Sequence, residues 1–385
     1  MAWPRVPLSE VLQEVSAPVS VDPASRYPNL GLYSYARGAF LKPVIDGAQT
    51  SAKTLYRVRA GQMIYSRLFA FEGAYAVVPD DMDGFFVSNE YPTFEHDADR
   101  VDIRYLRWLL TEPAVWRKIA VGSKGLGVRR QRVHPPQVLG YRAPLPPLDE
   151  QQRISARLDH VAALVDQRTA AIAAAEAELQ ALLAKAFARC IDGAPRRPMA
   201  EVAPLVRRVV EIEPDREYTE IGVRSFYNGV FHRRTMLGSE FDWQKLYWIA
   251  EGDLVFSNLM AWEQAIAVAA PKDAGAVGNH RMLTCKVNPE LALPGFLLAY
   301  FRTSEGFASV VGHSPGTIAR NKTLSSKRLP GVEVPVPPLE TQQWFDRLQA
   351  KAQRIRSIRA ASATDLEALL PAILHEVFAT TSEAA

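Results

Sequence analysis

The chain repeats itself at an offset of 191 residues, and each copy ends in a proline-stopped extended segment followed by a long run of helical periodicity. Pro144, Leu145, Pro146, Pro147, Leu148, Asp149, Glu150, Gln151 and Gln152 recur as Pro335, Val336, Pro337, Pro338, Leu339, Glu340, Thr341, Gln342 and Gln343, 191 residues on. Pro7 with Pro198, Tyr27 with Tyr218, Gly31 with Gly222, Leu68 with Leu259 and Glu72 with Glu263 keep the same spacing. A one-residue slip brings Asn89 onto Asn279 and Gly122 onto Gly312 before the prolines restore the register. A period this long is a duplicated domain rather than a solenoid of short stacked units. In 385 residues each copy is long enough to bury a core without staples.

Within each copy, short runs rich in β-branched and aromatic residues predict strand pairs at 62–65 with 75–78 and at 253–256 with 266–269. Residues 101–120 and 294–311 carry apolar side chains at helical spacing. The long helices follow the prolines, which forbid an earlier start, and Asp149 with Gln152 has the spacing of a capping box. Val161, Val165, Ile172, Ala175, Leu179 and Leu182 form a seam of alternating steps of three and four around Arg168, and Leu348, Ala352, Ile355, Leu366, Leu369 and Ile373 form a second around Arg359 and Ser362. Pro371 is expected to kink or end the second helix early. Two helices of roughly 60 Å at 1.5 Å per residue would bury these seams against each other, and antiparallel pairing is the simplest arrangement because each ends its own half. The expected fold class is α+β: two tandem, pseudo-repeated α+β domains (1–147 and 191–338) separated by a pair of long antiparallel coiled-coil helices (148–190 and 339–380).

Composition excludes several classes. Apolar content of 48% and charged content of 23% are those of a soluble globular protein. Cys190 and Cys285 have no metal-ligand spacing and suit a reducing compartment. No apolar run approaches a bilayer span and the N-terminus lacks a signal core, so a cytoplasmic location is expected. There is no phosphate loop, no His-Glu-x-x-His and no zinc spacing. The sequence therefore predicts neither a catalytic residue nor a bound cofactor or metal in this chain.

The net charge of +3 decides little, but its distribution is informative. Residues 113–148 contain no acid while Lys124, Arg129, Arg130, Arg132 and their neighbour Gln131 fall inside, and residues 306–332 are equally free of acids around Arg320, Asn321 and Lys322. Cations neutralise phosphates, while Arg, Gln and Asn can form paired bonds to base edges. The strand-pair loops add a second candidate surface, in which the framework is shared but the polar residue changes from Arg67 to Asn258, with His280 and Arg281 nearby in sequence. These twelve residues are the sequence-level DNA-binding candidates.

The stretch 144–154, Pro-Leu-Pro-Pro-Leu-Asp-Glu-Gln-Gln-Arg-Ile, and the stretch 127–133, Gly-Val-Arg-Arg-Gln-Arg-Val, placed just before it, resemble the strand-to-helix boundary in specificity subunits of type I restriction-modification systems. The resemblance spans almost the whole chain. It implies two target recognition domains, each followed by a spacer helix, reading a bipartite asymmetric double-stranded DNA target with one half-site per domain. It further implies that catalysis belongs to partners: two methylation subunits carrying S-adenosylmethionine, and restriction subunits that use ATP. Thr341, Trp344 and Pro371 depart from the family pattern. The alternative is a non-catalytic two-domain coiled-coil scaffold for protein partners, with the basic windows incidental; a self-sufficient methyltransferase or nuclease is a third.

Overall fold

The computed structural model describes residues 3–121, 132–241, 245–314 and 323–378. It divides into two compact units, one of residues 1–172 with 359–385 and one of residues 173–358.

The first unit is built from β1 (Arg5–Pro7), β2 (Leu12–Val15), β3 (Pro18–Ser20), β4 (Arg26–Leu32), β5 (Ala39–Asp46), β6 (Thr54–Arg57), β7 (Met63–Tyr65), β8 (Tyr75–Val77), β9 (Phe86–Val87) and β10 (Thr93–His96), followed by α1 (Ile103–Leu109), α2 (Pro113–Ala120), α3 (Pro135–Leu139), β11 (Arg142–Pro144) and the start of α4 (Leu148–Ile191). The second contains β12 (Arg196–Pro198), α5 (Met199–Val202), β13 (Leu205–Val206), β14 (Glu217–Val223), β15 (Val230–Leu237), β16 (Leu246–Trp248), β17 (Leu254–Ser257), β18 (Ile266–Val268), β19 (Val277–Asn279), β20 (Met282–Cys285), α6 (Pro294–Arg302), α7 (Ser304–Gly312) and β21 (Glu333–Pro335). The last helix, α8 (Leu339–Phe378), starts in the second unit and ends in the first.

Both units have the same mixed architecture. A four-stranded sheet runs β2-β10-β7-β8 in one and β13-β20-β17-β18 in the other. A second sheet runs β3-β6-β9-β4-β5 or β15-β14-β19-β16, each with one parallel contact, Asn29 beside Phe86 and Glu220 beside Val277. The predicted strand pairs are the antiparallel β7–β8 and β17–β18. Each predicted shorter helix is instead two helices. Glu112 caps α2, whose first residue is Pro113, while the Thr303 hydroxyl accepts from Gly306 N and starts α7 afresh. Register also corrects the one-residue slip: Tyr56 pairs with Val87 as Tyr247 pairs with Gly278, so Ser88, not Asn89, is the counterpart of Asn279.

A two-stranded ribbon, β1 with β11 or β12 with β21, clips the two ends of each α+β fold together just ahead of the prolines. The long helix then starts at Leu148 or Leu339. Gln151 N donates to Pro147 O at 3.0 Å, so the helical ladder already includes Pro147 and Asp149 lies inside the first turn instead of acting as the cap. The start is secured by Gln151 itself. Its Nε2 donates to Pro146 O (2.8 Å) and Arg100 O (3.0 Å), and its Oε1 accepts from Asp102 N (3.0 Å). Gln342 repeats the arrangement with Pro337 O (2.8 Å), Leu291 O (2.9 Å) and Leu293 N (2.9 Å). Asp102 and Leu293 are the N-caps of α1 and α6, so one buried amide fixes two helix starts in each unit.

Within each unit the two long helices run antiparallel, and their ends complete the core. In the first, Leu158, Leu374 and Phe378 join the cluster around Tyr105, whose ring lies 5.5 Å from that of Phe378. In the second, Phe187 packs on Phe296 at 5.0 Å and Phe345 at 4.9 Å, and Glu176 pairs with Arg356 at 2.8 Å. The helix does not end at Pro371. A proline there costs about 3 kcal/mol, but Leu374 and Phe378 beyond it are buried, and at about 1.5–3 kcal/mol each they offset that cost. The seam is buried mainly at its ends. Val161, Val165, Ile172 and Leu179 are half-buried, and Leu182, Ile355 and Leu369 are exposed, because contact shifts from Leu182 to Phe187 and Cys190. Cys190 and Cys285 are buried free thiols in the second unit's core, and burial pushes Cys285 up to about 12.

Replacing Gln342 with alanine leaves two carbonyls and one N–H without their buried partner. A loss of at least about 3 kcal/mol is expected at about 1–3 kcal/mol per orphaned group, measured by urea unfolding of the second unit's signals. Gln342→Glu destabilises more than Gln342→Ala, since a carboxylate would face two carbonyl oxygens; an equal or milder loss would refute the cross-link.

Candidate nucleic-acid interface

The described candidate residues converge at one place in each unit. In the first, Arg67 N donates to Glu90 O (2.9 Å) and Arg67 O accepts from Val133 N (3.0 Å), so the strand-pair loop is stitched to the β9–β10 turn and to the segment after residue 131. Arg132 forms a two-bond ion pair with Glu90, at 3.2 and 3.3 Å, and Arg67 Nη2 lies 3.0 Å from His134 Nδ1. In the second, Asn258 N donates to Arg281 O and Asn258 O accepts from Leu324 N, both at 2.8 Å. Arg67 and Asn258 are therefore half-buried splices rather than exposed tips. Lys124, Arg129, Arg130, Gln131, Arg320, Asn321 and Lys322 lie outside the described residues.

The second unit's site is an open recess lined by Arg233, Ser257, Leu259, Met260, Asn279, His280, Arg281 and Met282. His280 and Arg281 are exposed at its rim. Their turn is held by Arg207, which donates to Met282 O (3.0 Å) and His280 O (3.3 Å) and stacks over Tyr247 at 4.6 Å. Asn279 Oδ1 accepts from Arg281 N at 2.9 Å, while its Nδ2 donates to Glu220 at 3.0 Å. Glu220 is buried and also accepts from Arg234 Nε at 3.0 Å, with Arg233 at 3.8 Å. The guanidinium groups of Arg207, Arg233, Arg234 and Arg281 thus outnumber this one carboxylate, which makes the recess electropositive and orders its donors. Sequence reading missed Arg207, Glu220, Arg233, Arg234 and Asn279. The visible signal was the Arg-Arg doublet of β15, but its partner comes from the neighbouring strand.

In the first unit the same seats hold other chemistry. Lys42 stands 191 residues before Arg233, Asn29 before Glu220, Ser88 before Asn279, Glu90 before Arg281 and Tyr91 before Met282. Lys42 Nζ lies 5.6 Å from the Tyr91 ring centre, and the acid Glu90 replaces the base Arg281. One frame therefore presents two different sets of donors and acceptors. Among the described residues no group of His, Cys, Asp and Glu could hold a metal ion, and no helix is long and apolar enough to cross a membrane.

Removing Glu220 is expected to cost the second unit about 1–2 kcal/mol. Asn279 and the arginines lose an acceptor, but Arg233 and Arg234 are half-exposed and rehydrate, which limits the loss. Urea unfolding of Glu220→Ala against Glu220→Gln measures it, with the glutamine variant retaining an acceptor and closer to wild type.

No protein-family model and no curated protein matches the sequence. Solved structures match along nearly its whole length. The HsdS subunit from Thermoanaerobacter tengcongensis aligns with a TM-score of 0.62 at 20% identity, covering 98% of this chain and 96% of that chain. A chain from a structure of complex assembly and conformational transition in the type I R-M system aligns with a TM-score of 0.71 at 18% identity, covering 97% of each. At these identities the likeness is one of fold, and the chain has the fold of the HsdS subunits of type I restriction-modification systems.

Proposed function

We propose that this chain is the DNA-recognition subunit of a type I restriction-modification complex, reading a bipartite asymmetric target with one half-site per recognition domain. The observation that carries this reading is that equivalent positions of the two units hold different residues: Arg233, Asn279 and Arg281 line the recess of one, and Lys42, Ser88 and Glu90 stand 191 residues earlier in the other. Two readers of different half-sites need a shared frame and divergent donors and acceptors. Phosphate contacts supply affinity that falls with salt, and base-edge contacts supply sequence.

The long helices serve the second task. Leu164, Leu182, Trp344, Ile355, Ile358 and Leu369 stand 40–64% exposed on them and offer apolar side chains to a partner. Methylation subunits dock there. Methyl transfer with S-adenosylmethionine, and any ATP-driven cleavage, belong to the partners, whose target adenine must leave the duplex. The helix pair sets the gap between half-sites.

Mapping methylated adenines in a host that expresses this chain with a methylation subunit tests the reading. A bipartite motif is expected, and Arg233→Gln with Arg281→Gln should alter bases in one half of it only; equal weakening of both halves would argue for nonspecific electrostatics. In filter binding, the same pair should lower the slope of log affinity against log salt by about 1 for each phosphate no longer neutralised. A scaffold without DNA recognition would give no steep slope in the wild type. Inserting one helical turn in both α4 and α8, about 5.4 Å, should widen the tolerated gap by one or two base pairs at about 3.4 Å each; an unchanged gap would remove the spacing role.

A further inference from the structure

The hairpin turns that close β4–β5 and β14–β15 share a backbone conformation that their residues disfavour. Among the described residues five non-glycine residues have positive φ, and four of them are Tyr35 (62°), Ala36 (50°), Phe226 (59°) and Tyr227 (55°), two in each turn. Consecutive non-glycine residues, three of the four aromatic, seldom adopt this region. The turns are nevertheless fastened identically. Tyr35 N and Ala36 N donate to Glu72 O (2.7 Å) and Gly73 O (2.8 Å), and Phe226 N and Tyr227 N donate to Glu263 O (3.0 Å) and Gln264 O (2.9 Å). The Ser34 and Ser225 hydroxyls donate to the carboxylates of Glu72 and Glu263 at 2.9 and 3.1 Å.

The outcome of this arrangement is an aromatic ring in water. Tyr35 is 66% and Phe226 68% exposed, the two most exposed aromatic side chains among the described residues. Each turn also carries a guanidinium: Arg37 lies over the Tyr33 ring at 4.8 Å, and Arg224 over the Phe231 ring at 4.9 Å. Among the described residues neither arginine has an ion-pair partner. Glu72 and Glu263, the nearby acids, are occupied by serine. The turns are also pinned to the same strand-pair connection that carries Arg67 in one unit and supplies Leu259 and Met260 to the recess in the other.

We propose that Tyr35 and Phe226 are DNA contacts, one per half-site, each laying its exposed ring against the bases while Arg37 or Arg224 meets an adjoining phosphate. The proposal rests on the DNA-recognition reading above. Tyr227 packs on the second unit's core with its hydroxyl donating to Phe301 O, but its counterpart Ala36 has no such hydroxyl, so what the strain yields in both copies is the exposed ring, and strain of this kind marks functional sites. A cation in each turn, seated over Tyr33 or Phe231 and with no described ion-pair partner, favours a polyanion over an apolar protein surface.

The test uses the full chain and a duplex that the wild type recovers from a random-sequence pool. Asparagine tolerates the left-handed backbone, so Tyr35→Asn and Phe226→Asn keep the turn and remove the ring. Each should hold or raise the melting temperature while weakening affinity for that duplex about tenfold, with an unchanged salt slope because the ring carries no charge. Tyr35→Phe and Phe226→Tyr should bind as wild type. Asparagine variants with wild-type affinity overturn the proposal, as does a fall in affinity that tracks a lowered melting temperature. Wild-type DNA binding with failed assembly onto methylation subunits would put the rings on a protein interface and overturn it too. A wild-type chain that recovers no duplex refutes instead the recognition reading beneath it.

Discussion

The structure depends on one buried primary amide used twice. Gln151 and Gln342 each bond to the carbonyl that precedes the second proline, to a carbonyl ahead of an earlier helix, α1 or α6, and to that helix's N-cap N–H. A primary amide is suited to this because it offers two donors and an acceptor at fixed angles. Glutamate would lack the donors. The neighbouring prolines present their carbonyls without an N–H of their own to satisfy, so the motif combines a chain stop, a free acceptor and a side chain that reaches back to it. The direction of a helix of 44 or 40 residues follows from that local geometry.

The helix so directed then completes a core that its own half of the sequence does not finish. Phe378 lies against Tyr105, and Phe187, its counterpart 191 residues earlier, lies against Phe296. Each unit thus takes one helix start from its own copy and one helix end from the other copy. Losing the last turns of α8 would strip Leu374 and Phe378 from the first unit's core, although these residues follow the second α+β fold in sequence. Duplication here yields two units whose stability is shared through covalent continuity.

Much of this was legible in the sequence because it depends on local chemistry or direct recurrence. The prolines, the 191-residue offset, the strand pairs and the long helices are all of that kind. What was missed involves partners distant in the chain. The helix start was read as a cap by Asp149 and Gln152, whereas Gln151 holds it through bonds to Asp102 and Arg100 that span 49 and 51 residues of the chain. Asn89 was matched to Asn279 by identity, whereas strand register matches Ser88. Glu220 and Arg234 meet across two strands, and no periodicity within either strand announces the pair. The seam was drawn through Leu182 by regular spacing, while burial follows the aromatic contacts of Phe187. Arg67 and Asn258 were matched as equivalents from the framework around them, but their half-burial is a tertiary fact.

That half-burial also explains how the two sites could diverge without loss of fold. The splices at Arg67 and Asn258, and at Glu90 and Arg281, are made by backbone N–H and carbonyl groups, which every residue except proline supplies. These stitching bonds therefore place no demand on the identity of the side chains at those positions. Arg67 can become Asn258, and Glu90 can become Arg281, a reversal of charge, while the stitching bonds keep their lengths within about 0.1 Å of 2.9 Å, the ordinary N–H to O distance. A fold fastened this way at the rim of its recess separates the residues that hold it together from the residues that face outward. Change in what the recess presents then carries little cost in stability, a property that a reader of varied sequences requires and a purely structural scaffold has no use for.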